Sequence, residues 1–237
     1  MPYISLILLI IISYLIGSIP WGFIVGKLFK KIDIRNYGSG NIGSTNAVRT
    51  LGVPLGIMVQ LLDVGKGLAA VLMVSPFFYI NLPFENFTPF DDITVLKIIA
   101  GVSAVIGHTF TVFLNFKGGK GINTALGMLV SLAPIDVSIS LGIFVLIVLF
   151  SGYISLGSIL ASVFFPVIMF VRENIFNVDI YGYKTLIIFS IAMSVLILYN
   201  HRQNIKRLLY GKENRFEKLW KIRVFKFIKA PLKSRNN

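Results

Sequence analysis

Long apolar segments alternate with short polar ones along almost the whole chain. The apolar segments run at residues 3–29, 52–80, 93–115, 123–150, 152–171 and 182–200. Each is long enough for a helix that crosses the ~30 Å hydrocarbon core of a bilayer, which takes about 20 residues. Only 14% of the residues are charged and 55% are hydrophobic, whereas about a quarter of the residues in soluble domains are charged. The pattern predicts an all-α, polytopic integral membrane protein.

The charges between these segments assign the two sides of the membrane, because cytoplasmic loops carry an excess of Lys and Arg. The connection at 27–50 is basic, the connection at 81–92 is acidic, and the turn at 116–122 is basic again. From His201 to Asn237 there are twelve Lys and Arg against two Glu. We therefore expect the N-terminus outside and the C-terminus in the cytoplasm.

This orientation requires an odd number of crossings, and six segments do not satisfy it. Pro134 and Asp136 interrupt the segment at 123–150, so we predict a short helix at 123–133 and a second helix at 135–150. The short helix would span only ~16 Å at 1.5 Å per residue, about half of the hydrocarbon core. The sequence thus favours seven transmembrane helices, some of them short, and five crossings with re-entrant pieces is the alternative.

The densest polar stretch is Gly38–Asn46, which reads Gly-Ser-Gly-Asn-Ile-Gly-Ser-Thr-Asn. Bare loop cannot cross lipid, because its backbone groups would lack partners, so this stretch lies at a water interface or lines a polar cavity. Glycines let backbone amides approach an anion, and a helix that opens at Thr45 or Asn46 adds its dipole. Arg49 can grip a phosphate in a bidentate manner. The alternative is an ordinary loop with a helix cap at Ser44, Thr45 or Asn46.

A second basic and glycine-rich stretch runs from Gly107-His108 to Phe116-Lys117-Gly118-Gly119-Lys120-Gly121. It is not a Walker loop, since Gly121 stands where Ser or Thr must follow the lysine. A phosphate site and a positive-inside turn with glycine caps both explain it. His108 lies inside a spanning segment, where a His is a functional candidate by default, either for proton transfer or for a structural hydrogen bond.

Two further polar groups lie within or beside spanning segments. Asp63 and Lys66 share one helix face, and charges in a membrane are costly unless they are paired. We expect a structural ion pair here, with a role in positioning the active site as the alternative. His201, Asn204 and Arg207 recur at three-residue spacing where the last helix ends, which suits either a site or an interfacial helix end.

Several signatures are absent from the sequence. Phe113 and Lys206 stand five residues after the two His, so neither His has the His-x4-Asp pair of the acyl-CoA-type glycerolipid acyltransferases. The Asp-rich signature of the alcohol phosphotransferases is also missing. No His, Asp or Glu cluster has metal-ligand spacing, and we expect neither a metal nor a cofactor. In a membrane protein the basic tail indicates anionic lipid as its partner, not nucleic acid.

Together these motifs resemble the PlsY family, the bacterial acyl-phosphate:glycerol-3-phosphate acyltransferases, over residues 5 to about 216. The resemblance rests on Gly38-Ser39-Gly40-Asn41-x-Gly43-x-Thr45-Asn46-x-x-Arg49, Asp63-x-x-Lys66-Gly67, Gly107-His108, Phe116-Lys117-Gly118-Gly119-Lys120-Gly121-x-x-Thr124, Ser155-Leu156, and His201-x-x-Asn204-Ile205-x-Arg207-Leu208-x-x-Gly211-x-Glu213. It implies a seven-helix bundle in the bacterial inner membrane with its site at the cytoplasmic face. The implied reaction transfers a fatty acyl group from acyl phosphate to the sn-1 hydroxyl of glycerol 3-phosphate. The products are lysophosphatidic acid and phosphate, in the first acylation step of phospholipid synthesis.

Both implied substrates carry phosphate, so we hypothesise two anion sites. Ser39, Asn41, Gly43, Thr45 and Asn46 would hold one phosphate, gripped also by Arg49 and Lys117, whereas Gly118–Gly121 with Lys120 would hold the second. Ser155, His201 and Asn204 would orient glycerol 3-phosphate. The full set of catalytic candidates is Ser39, Asn41, Arg49, His108, Lys117, His201 and Asn204. The full set of phosphate-binding candidates is Gly40, Gly43, Thr45, Asn46, Gly118, Gly119, Lys120, Gly121, Ser155, Arg207 and Glu213. A substrate phosphate could accept the hydroxyl proton, with His108 or His201 as the competing base.

A transporter or channel for a phosphorylated small molecule is the rival function, and a non-catalytic scaffold with a basic tail is a third. A transporter should show inverted repeats and polar residues near the midplane, whereas this sequence shows no repeat and we expect its polar clusters at one face.

Two features depart from the family pattern. Asn123 stands where the family often has Ala, close to the predicted site. About twenty residues also follow Phe216, beyond the usual family end. Their apolar residues Phe216, Leu219, Trp220, Val224 and Phe227 suit an interfacial helix on anionic lipid. We therefore divide the chain into a membrane-embedded acyltransferase domain at 1–216 and a basic amphipathic cytoplasmic tail at 217–237.

Overall fold

The computed structural model describes residues 2–74 and 85–213, and all the regular structure in this part of the chain is helical. The α-helices are α1 (Pro2–Ser18), α2 (Trp21–Val25), α3 (Ser44–Leu51), α4 (Val53–Leu72), α5 (Asp92–Thr109), α6 (Ile122–Leu132), α7 (Pro134–Ser151), α8 (Ile154–Asn174), α9 (Tyr183–Asn200) and α10 (Arg202–Leu209). A π-helical turn covers Gly26–Lys30, and 3₁₀ turns cover Ile34–Asn36 and Val112–Leu114.

Six helical segments of the described chain are long and apolar enough to cross a membrane. They are Tyr3–Lys30, Val53–Leu72, Asp92–Leu114, Pro134–Ser151, Ile154–Asn174 and Tyr183–Asn200. Between them α6 ends at Leu132 and α7 begins at Pro134, which confirms the predicted helix break and the short helix before it. The chain is thus a multi-pass membrane protein, whereas a seventh crossing by α6 and the sides of the two termini stay predictions.

The first apolar segment is broken in a way that the sequence pattern did not predict. Helix α1 ends at Ser18, and Pro20, which has no backbone N–H, precedes α2. The break leaves carbonyl groups without helical partners. The Thr111 hydroxyl donates to the Ser18 carbonyl, and Lys66 Nζ donates to the Ile19 carbonyl at 2.8 Å. Side chains from later in the chain therefore stabilise the kink.

The described residues form two compact units, and the first comprises those within Met1–Ile135 together with Tyr181–Leu186. In this unit α4 packs against α6, α1 against α5, and α3 against α4. A Cβ atom on Gly67 would lie 2.0 Å from the Thr124 carbonyl oxygen, and one on Gly127 would lie 1.9 Å from that of Val64. Glycine therefore lets the backbones of α4 and α6 touch, which fixes the start of α6 beside α4.

A small apolar core lies under the polar loop between the π-helical turn and α3. Ile34, which precedes the glycine-rich stretch, and Ile42, which lies within it, are 0% and 2% exposed. They pack with the buried side chains of Val25, Ala47, Leu51, Val59 and Leu114. Apolar side chains therefore anchor the loop at two points, before its first glycine and between Asn41 and Gly43.

The second compact unit comprises the described residues within Asp136–Ile180 and from Ile187 onwards. Arg172 at the end of α8 pairs with the buried Asp136 in the first turn of α7. The Ser194 hydroxyl of α9 donates to the Ser162 carbonyl of α8. The predicted interfacial helix and the tail at 217–237 lie outside the described residues, and the division into two domains at 216 stays a prediction.

Candidate active site

The Asn46 side chain holds the glycine-rich loop together. Its Oδ1 accepts a hydrogen bond from the Ser39 amide at 2.9 Å. Its Nδ2 lies 2.8–3.1 Å from three carbonyl oxygens, those of Ile34, Tyr37 and Asn41. Asn46 is only 1% exposed. The amide group has two hydrogens for these three carbonyls, so Asn46 has no donor left for the phosphate that the sequence assigned to it and shapes the loop instead.

The backbone amides of the loop are also largely committed to the chain. The amide of Ser39 donates to Asn46, that of Gly40 to the Tyr37 carbonyl, and that of Gly43 to the Asn41 side chain. The loop is therefore not the open nest of amides that its glycines suggested. Helix α3 begins at Ser44 without a side-chain cap, and its first amides, at Ser44 and Thr45, have no acceptor among the described residues.

This loop and the start of α6 enclose a cavity of about 400 Å³. The lining residues are Ser39, Asn41, Gly43, Ser44, Thr45, Asn46 and Arg49 from the first segment, Lys120, Gly121, Ile122 and Asn123 from the second, and Asp63 and His108. Eight of the residues that the sequence singled out for a phosphate site, from two motifs more than 70 residues apart, thus line one cavity: Ser39, Asn41, Gly43, Thr45, Asn46, Arg49, Lys120 and Gly121.

Arg49 and Lys120 are the cationic side chains in this lining, and both are exposed. No carboxylate in the described chain lies within ion-pair distance of either residue. Two uncompensated cations favour an anionic ligand. Lys117, which we expected to grip the same phosphate as Arg49, is exposed and lies outside the lining, so its role stays a prediction.

His108 is enclosed on both sides of its ring. Its Nδ1 lies 3.4 Å from Asp63 Oδ1, and a Cβ atom on Gly119 would lie only 2.0 Å from its Nε2. The side chain is 4% exposed. The two ring nitrogens therefore face Asp63 and the Gly119 backbone. This arrangement suits a structural link between α4 and the basic loop at 116–121 better than it suits a general base.

Asp63 and Lys66 form the ion pair that their spacing predicted. Lys66 Nζ lies 3.0 Å from Asp63 Oδ1, and the two side chains are 3% and 1% exposed. The pair supports two features at once, since Lys66 also donates to the kink carbonyl of Ile19 and Asp63 contacts His108. Both roles that the sequence left open, structural pairing and positioning of the site, are compatible with these contacts.

The amides of Gly118 and Gly119 are committed as well. They donate to the carbonyls of Thr109 and His108, each at 3.0 Å, and so close the C-terminal end of α5. They are not free to cradle the second phosphate that the sequence assigned to this loop. The loop's contribution to the cavity comes instead from Lys120 and from Gly121, whose φ of +74° lets the chain turn into α6.

In the second unit Glu213 organises a polar cluster. Its Oε1 accepts hydrogen bonds from Ser155 Oγ at 2.9 Å and Asn204 Nδ2 at 2.8 Å, and its Oε2 accepts one from Arg207 Nε at 2.7 Å. Burial by itself raises the pKa of the Glu213 carboxyl, but the hydrogen bonds from Asn204, Arg207 and Ser155 outweigh it and hold the pKa below its usual value of 4.5. An ionised carboxylate repels a phosphate, so Glu213 positions these side chains and is not itself a phosphate ligand.

His201 lies beside this cluster in the sequence, at the junction of α9 and α10. Its Nδ1 is 2.9 Å from the Ile197 carbonyl oxygen. Because a carbonyl oxygen only accepts, Nδ1 carries the hydrogen, and in the neutral ring Nε2 is left as an acceptor. The structure thus groups Ser155, Asn204, Arg207 and Glu213 in the second unit. In the first unit it groups most candidates around the cavity, but not Gly40, Lys117, Gly118 or Gly119. The expected convergence of all candidates on one site stays a prediction.

Sequence reasoning missed two polar residues of the cavity as ligand candidates. Ser44 was considered only as a helix cap, and Asn123 only as a departure from the family pattern, yet Asn123 Nδ2 donates to Ser44 Oγ at 2.9 Å inside the lining. A bond between residues 79 positions apart leaves no local signal in the sequence.

The fold and this cavity define a class of protein before any relative is considered. It is a multi-pass helical membrane protein whose cavity offers hydroxyl groups, free helix amides and unpaired cations, which is the chemistry that recognises a phosphate group.

Comparison with known proteins gives the particular family. The family model of glycerol-3-phosphate acyltransferases matches residues 7–211. The glycerol-3-phosphate acyltransferase of Chlorobium phaeobacteroides is 45% identical over 90% of this chain and 97% of its own. That of Chlorobaculum tepidum is 47% identical over 87% and 94%. The chain belongs to the glycerol-3-phosphate acyltransferase family, which confirms the resemblance in its motifs.

Solved structures agree with this assignment. The chain is similar to crystal structures of PlsY (YgiH), an integral membrane glycerol 3-phosphate acyltransferase. The glycerol 3-phosphate form has 37% identity and a TM-score of 0.66, and the lysophosphatidic acid form has 34% and 0.67. Each comparison covers 91% of this chain and 98% of the other.

Proposed function

We propose that this chain transfers a fatty acyl group from acyl phosphate to the sn-1 hydroxyl of glycerol 3-phosphate, with lysophosphatidic acid and phosphate as products. Its family membership supports the acceptor, because the related crystal structures hold glycerol 3-phosphate and lysophosphatidic acid. The single structural observation that carries the proposal is the cavity in which Arg49 and Lys120 face hydroxyl groups and free helix amides without a carboxylate partner. Such a cavity binds a phosphorylated substrate.

In the proposed reaction, the sn-1 oxygen of glycerol 3-phosphate attacks the acyl carbon of acyl phosphate. A carbon–oxygen ester bond forms, the bond between the acyl carbon and the phosphate oxygen breaks, and inorganic phosphate leaves with the bonding electrons. The hydroxyl proton goes to a base. Phosphate is a good leaving group, so positioning of the two substrates and stabilisation of charge by Arg49 and Lys120 supply most of the acceleration.

The base in this scheme is the substrate phosphate or His201, and the geometry disfavours His108. Both ring nitrogens of His108 are enclosed, by Asp63 and by Gly119, whereas His201 keeps Nε2 as an acceptor. The His201→Gln variant separates the two remaining candidates. A rate near that of the wild type would assign the proton to the substrate phosphate, and a fall of ~100-fold or more, the usual scale of general-base catalysis, would assign it to His201.

The second-unit cluster is proposed to orient glycerol 3-phosphate through Ser155, Asn204 and Arg207. Glu213 fixes the directions of all three side chains by accepting one hydrogen bond from each. Asn204→Ala should therefore raise KM for glycerol 3-phosphate more than KM for acyl phosphate. Equal changes in the two constants would contradict this role.

The decisive test of the function uses purified protein in detergent with acyl phosphate and glycerol 3-phosphate. We expect phosphate and lysophosphatidic acid to form in equal amounts. No product should form when acyl-CoA, or acyl carrier protein that carries an acyl group, replaces acyl phosphate. Reversing the charge with Arg49→Glu should abolish turnover, and Lys31→Glu, at an exposed residue outside the cavity, is the matched control. Transport of glycerol 3-phosphate into sealed vesicles without acylation would instead support the rival transporter.

We also propose that the site faces the cytoplasm of a bacterial inner membrane, with seven crossings, the N-terminus outside and the C-terminus inside. The basic connection at 27–50, the acidic one at 81–92 and the basic C-terminal region support this orientation. The chain has no Cys, so single cysteines report accessibility without background. In intact cells a membrane-impermeant thiol reagent should label Phe87→Cys and not Lys31→Cys, and labelling of Lys31→Cys alone would reverse the topology.

Anionic lipid is the proposed partner of the basic tail. Residues 214–237 carry eight Lys and Arg against one Glu, which gives the charge that binds such a surface. A peptide of residues 214–237 should bind vesicles with phosphatidylglycerol and lose this binding in high salt, and binding to neutral vesicles at the same strength would contradict the proposal.

A further inference from the structure

One hydrogen bond joins the two walls of the cavity. Asn123, the second residue of α6, donates from Nδ2 to the Oγ of Ser44, the first residue of α3, at 2.9 Å. Both side chains line the cavity. Within the described part of the chain, no other hydrogen bond connects the wall at 39–49 with the wall at 120–123. Helices α3 and α6 each pack on α4, so this bond sets the spacing between two elements that share a neighbour.

The bond also fixes the direction of the Ser44 hydroxyl hydrogen. A serine hydroxyl has one hydrogen and two lone pairs. Because one lone pair accepts from Asn123, the hydrogen must point away from the Asn123 amide. Ser44 does not cap its own helix, and its Oγ has no acceptor among the residues that the structure describes. The hydrogen is therefore free to donate into the cavity, next to the free amides of Ser44 and Thr45.

We propose that Ser44 donates its hydroxyl hydrogen to the phosphate group held in this cavity, and that Asn123 is the positioning residue that orients this donor. This inference deepens the proposed function and rests on it. Arg49 and Lys120 attract the phosphate by charge, which acts over some distance. The Ser44 hydroxyl and the two amides beside it orient the phosphate by directional hydrogen bonds. The pair thereby selects a ligand that accepts three hydrogen bonds at one end, as a phosphate monoester or an acyl phosphate does.

Asn and Asp at position 123 have opposite effects on this donor. The amide of Asn donates to Ser44 and leaves the hydroxyl hydrogen free. The carboxylate of Asp can only accept, so it would draw the Ser44 hydrogen away from the cavity and add a negative charge beside the bound phosphate. Asn123→Asp changes the side chain little in size, so its effect reports the direction of the hydrogen bond together with the added charge, and not a change in packing.

The experiment is a double-mutant cycle on the full chain with Ser44→Ala, Asn123→Ala and the double variant, together with Asn123→Asp. The matched control is Ser131→Ala, whose Oγ donates within α6 and to the Leu68 carbonyl and lies outside the cavity. KM and kcat are measured for acyl phosphate and for glycerol 3-phosphate. Binding of inorganic phosphate is measured separately, from the rise in thermal stability with phosphate concentration, and needs no turnover.

We expect Ser44→Ala to weaken phosphate binding about tenfold, the low end for one hydrogen bond to a charged group. Asn123→Ala should weaken it about threefold, and Asn123→Asp roughly 30-fold or more. In the Ser44→Ala background, Asn123→Ala should change binding less than about twofold, because the donor that it orients is gone. The substrate whose KM follows these changes, with kcat within about twofold, identifies whose phosphate occupies the cavity.

Three results would overturn the inference. The first is a Ser44→Ala variant that binds phosphate like Ser131→Ala. The second is an Asn123→Ala effect as large without Ser44 as with it, since Asn123 would then act on the ligand or the fold directly. The third is an Asn123→Asp variant no weaker than Asn123→Ala. The phosphate measurement also distinguishes the role of Ser44 from the proposed reaction. A wild type that binds phosphate through Ser44 but makes no lysophosphatidic acid refutes the proposed reaction alone.

Discussion

Replacing Asn46 tests how the glycine-rich loop acquires its shape. In Asn46→Asp an oxygen takes the place of Nδ2 and faces the carbonyl oxygens of Ile34, Tyr37 and Asn41, which lie 2.8–3.1 Å from that position. Two donated hydrogen bonds disappear, at roughly 0.5–1.5 kcal/mol each. A carboxylate must also occupy a site that is 1% exposed, which adds a desolvation cost of about 2 kcal/mol or more. The native loop is thus disfavoured by roughly 3–5 kcal/mol, the sum of these contributions.

A penalty of this size favours rearrangement of the loop over unfolding of the unit. The apolar anchors Ile34 and Ile42 stay in place, so only the segment between them needs to move. About 3–5 kcal/mol corresponds to a population shift of 100-fold or more, and we expect turnover below about 1% of the wild type with a much smaller change in the thermal midpoint.

The assay compares phosphate release by Asn46→Asp with that by Asn36→Asp, and both variants are checked by thermal unfolding in detergent. Asn36 lies in the same loop region, is exposed, and makes no side-chain hydrogen bond among the described residues, so it controls for the added charge. Turnover of Asn46→Asp above a tenth of the wild type would refute the assignment of Asn46 as the residue that holds the loop.

Three further perturbations follow from the same structure. Gly119→Ala would place a Cβ atom 2.0 Å from His108 Nε2, so we expect at least a ~10-fold loss of turnover. Adding Gly119→Ala to His108→Ala should cause no further loss. Additive losses would contradict a structural role of His108 against Gly119. Asp63→Asn and Lys66→Met each leave one buried charge without its ion-pair partner, at about 3–5 kcal/mol. The double variant should therefore unfold at a higher temperature than either single variant. A double variant that is the least stable of the three would contradict the pairing. The pKa of Glu213 is held below its usual 4.5, so the stability that the ionised carboxylate contributes is present above pH 4.5 and is lost as the pH falls through the lowered pKa. The difference in thermal midpoint between wild type and Glu213→Gln should therefore shrink in acid. A difference that grows in acid would contradict the direction of the pKa shift.

The helix pattern was predictable where it depends on local chemistry. Pro134 cannot continue the hydrogen-bond ladder of α6, and the break falls there. The spacing of Asp63 and Lys66 likewise places both charges on one face of a single helix, and they pair. The kink after Ser18 was missed, because its stability comes from Lys66 and Thr111, which lie far along the chain.

The polar residues of the site were predictable by type but not by role. Glycines at 40 and 43 suggested free amides, yet the Tyr37 carbonyl accepts from Gly40 and the Asn41 side chain accepts from Gly43, as buried or constrained amides require. The sequence groups Glu213 with the phosphate-binding candidates as the last residue of the motif that begins at His201. Its three hydrogen-bond donors indicate instead that it positions its neighbours. Sequence spacing identifies which groups are present, and contacts between distant segments decide which of them remain free.

The shortness of α6 has a consequence for how this protein enters the bilayer. Its 11 residues extend ~16 Å at 1.5 Å per residue, too little for the insertion machinery to recognise as an independent anchor of about 20 residues. The Thr124 carbonyl of α6 lies against Gly67 of α4 through a contact that no larger residue permits. We therefore expect α6 to reach its final depth only as a partner of the already inserted α4. A substitution such as Gly67→Leu should first appear as a defect in biogenesis, with degradation of the nascent chain, before any effect on catalysis can be measured.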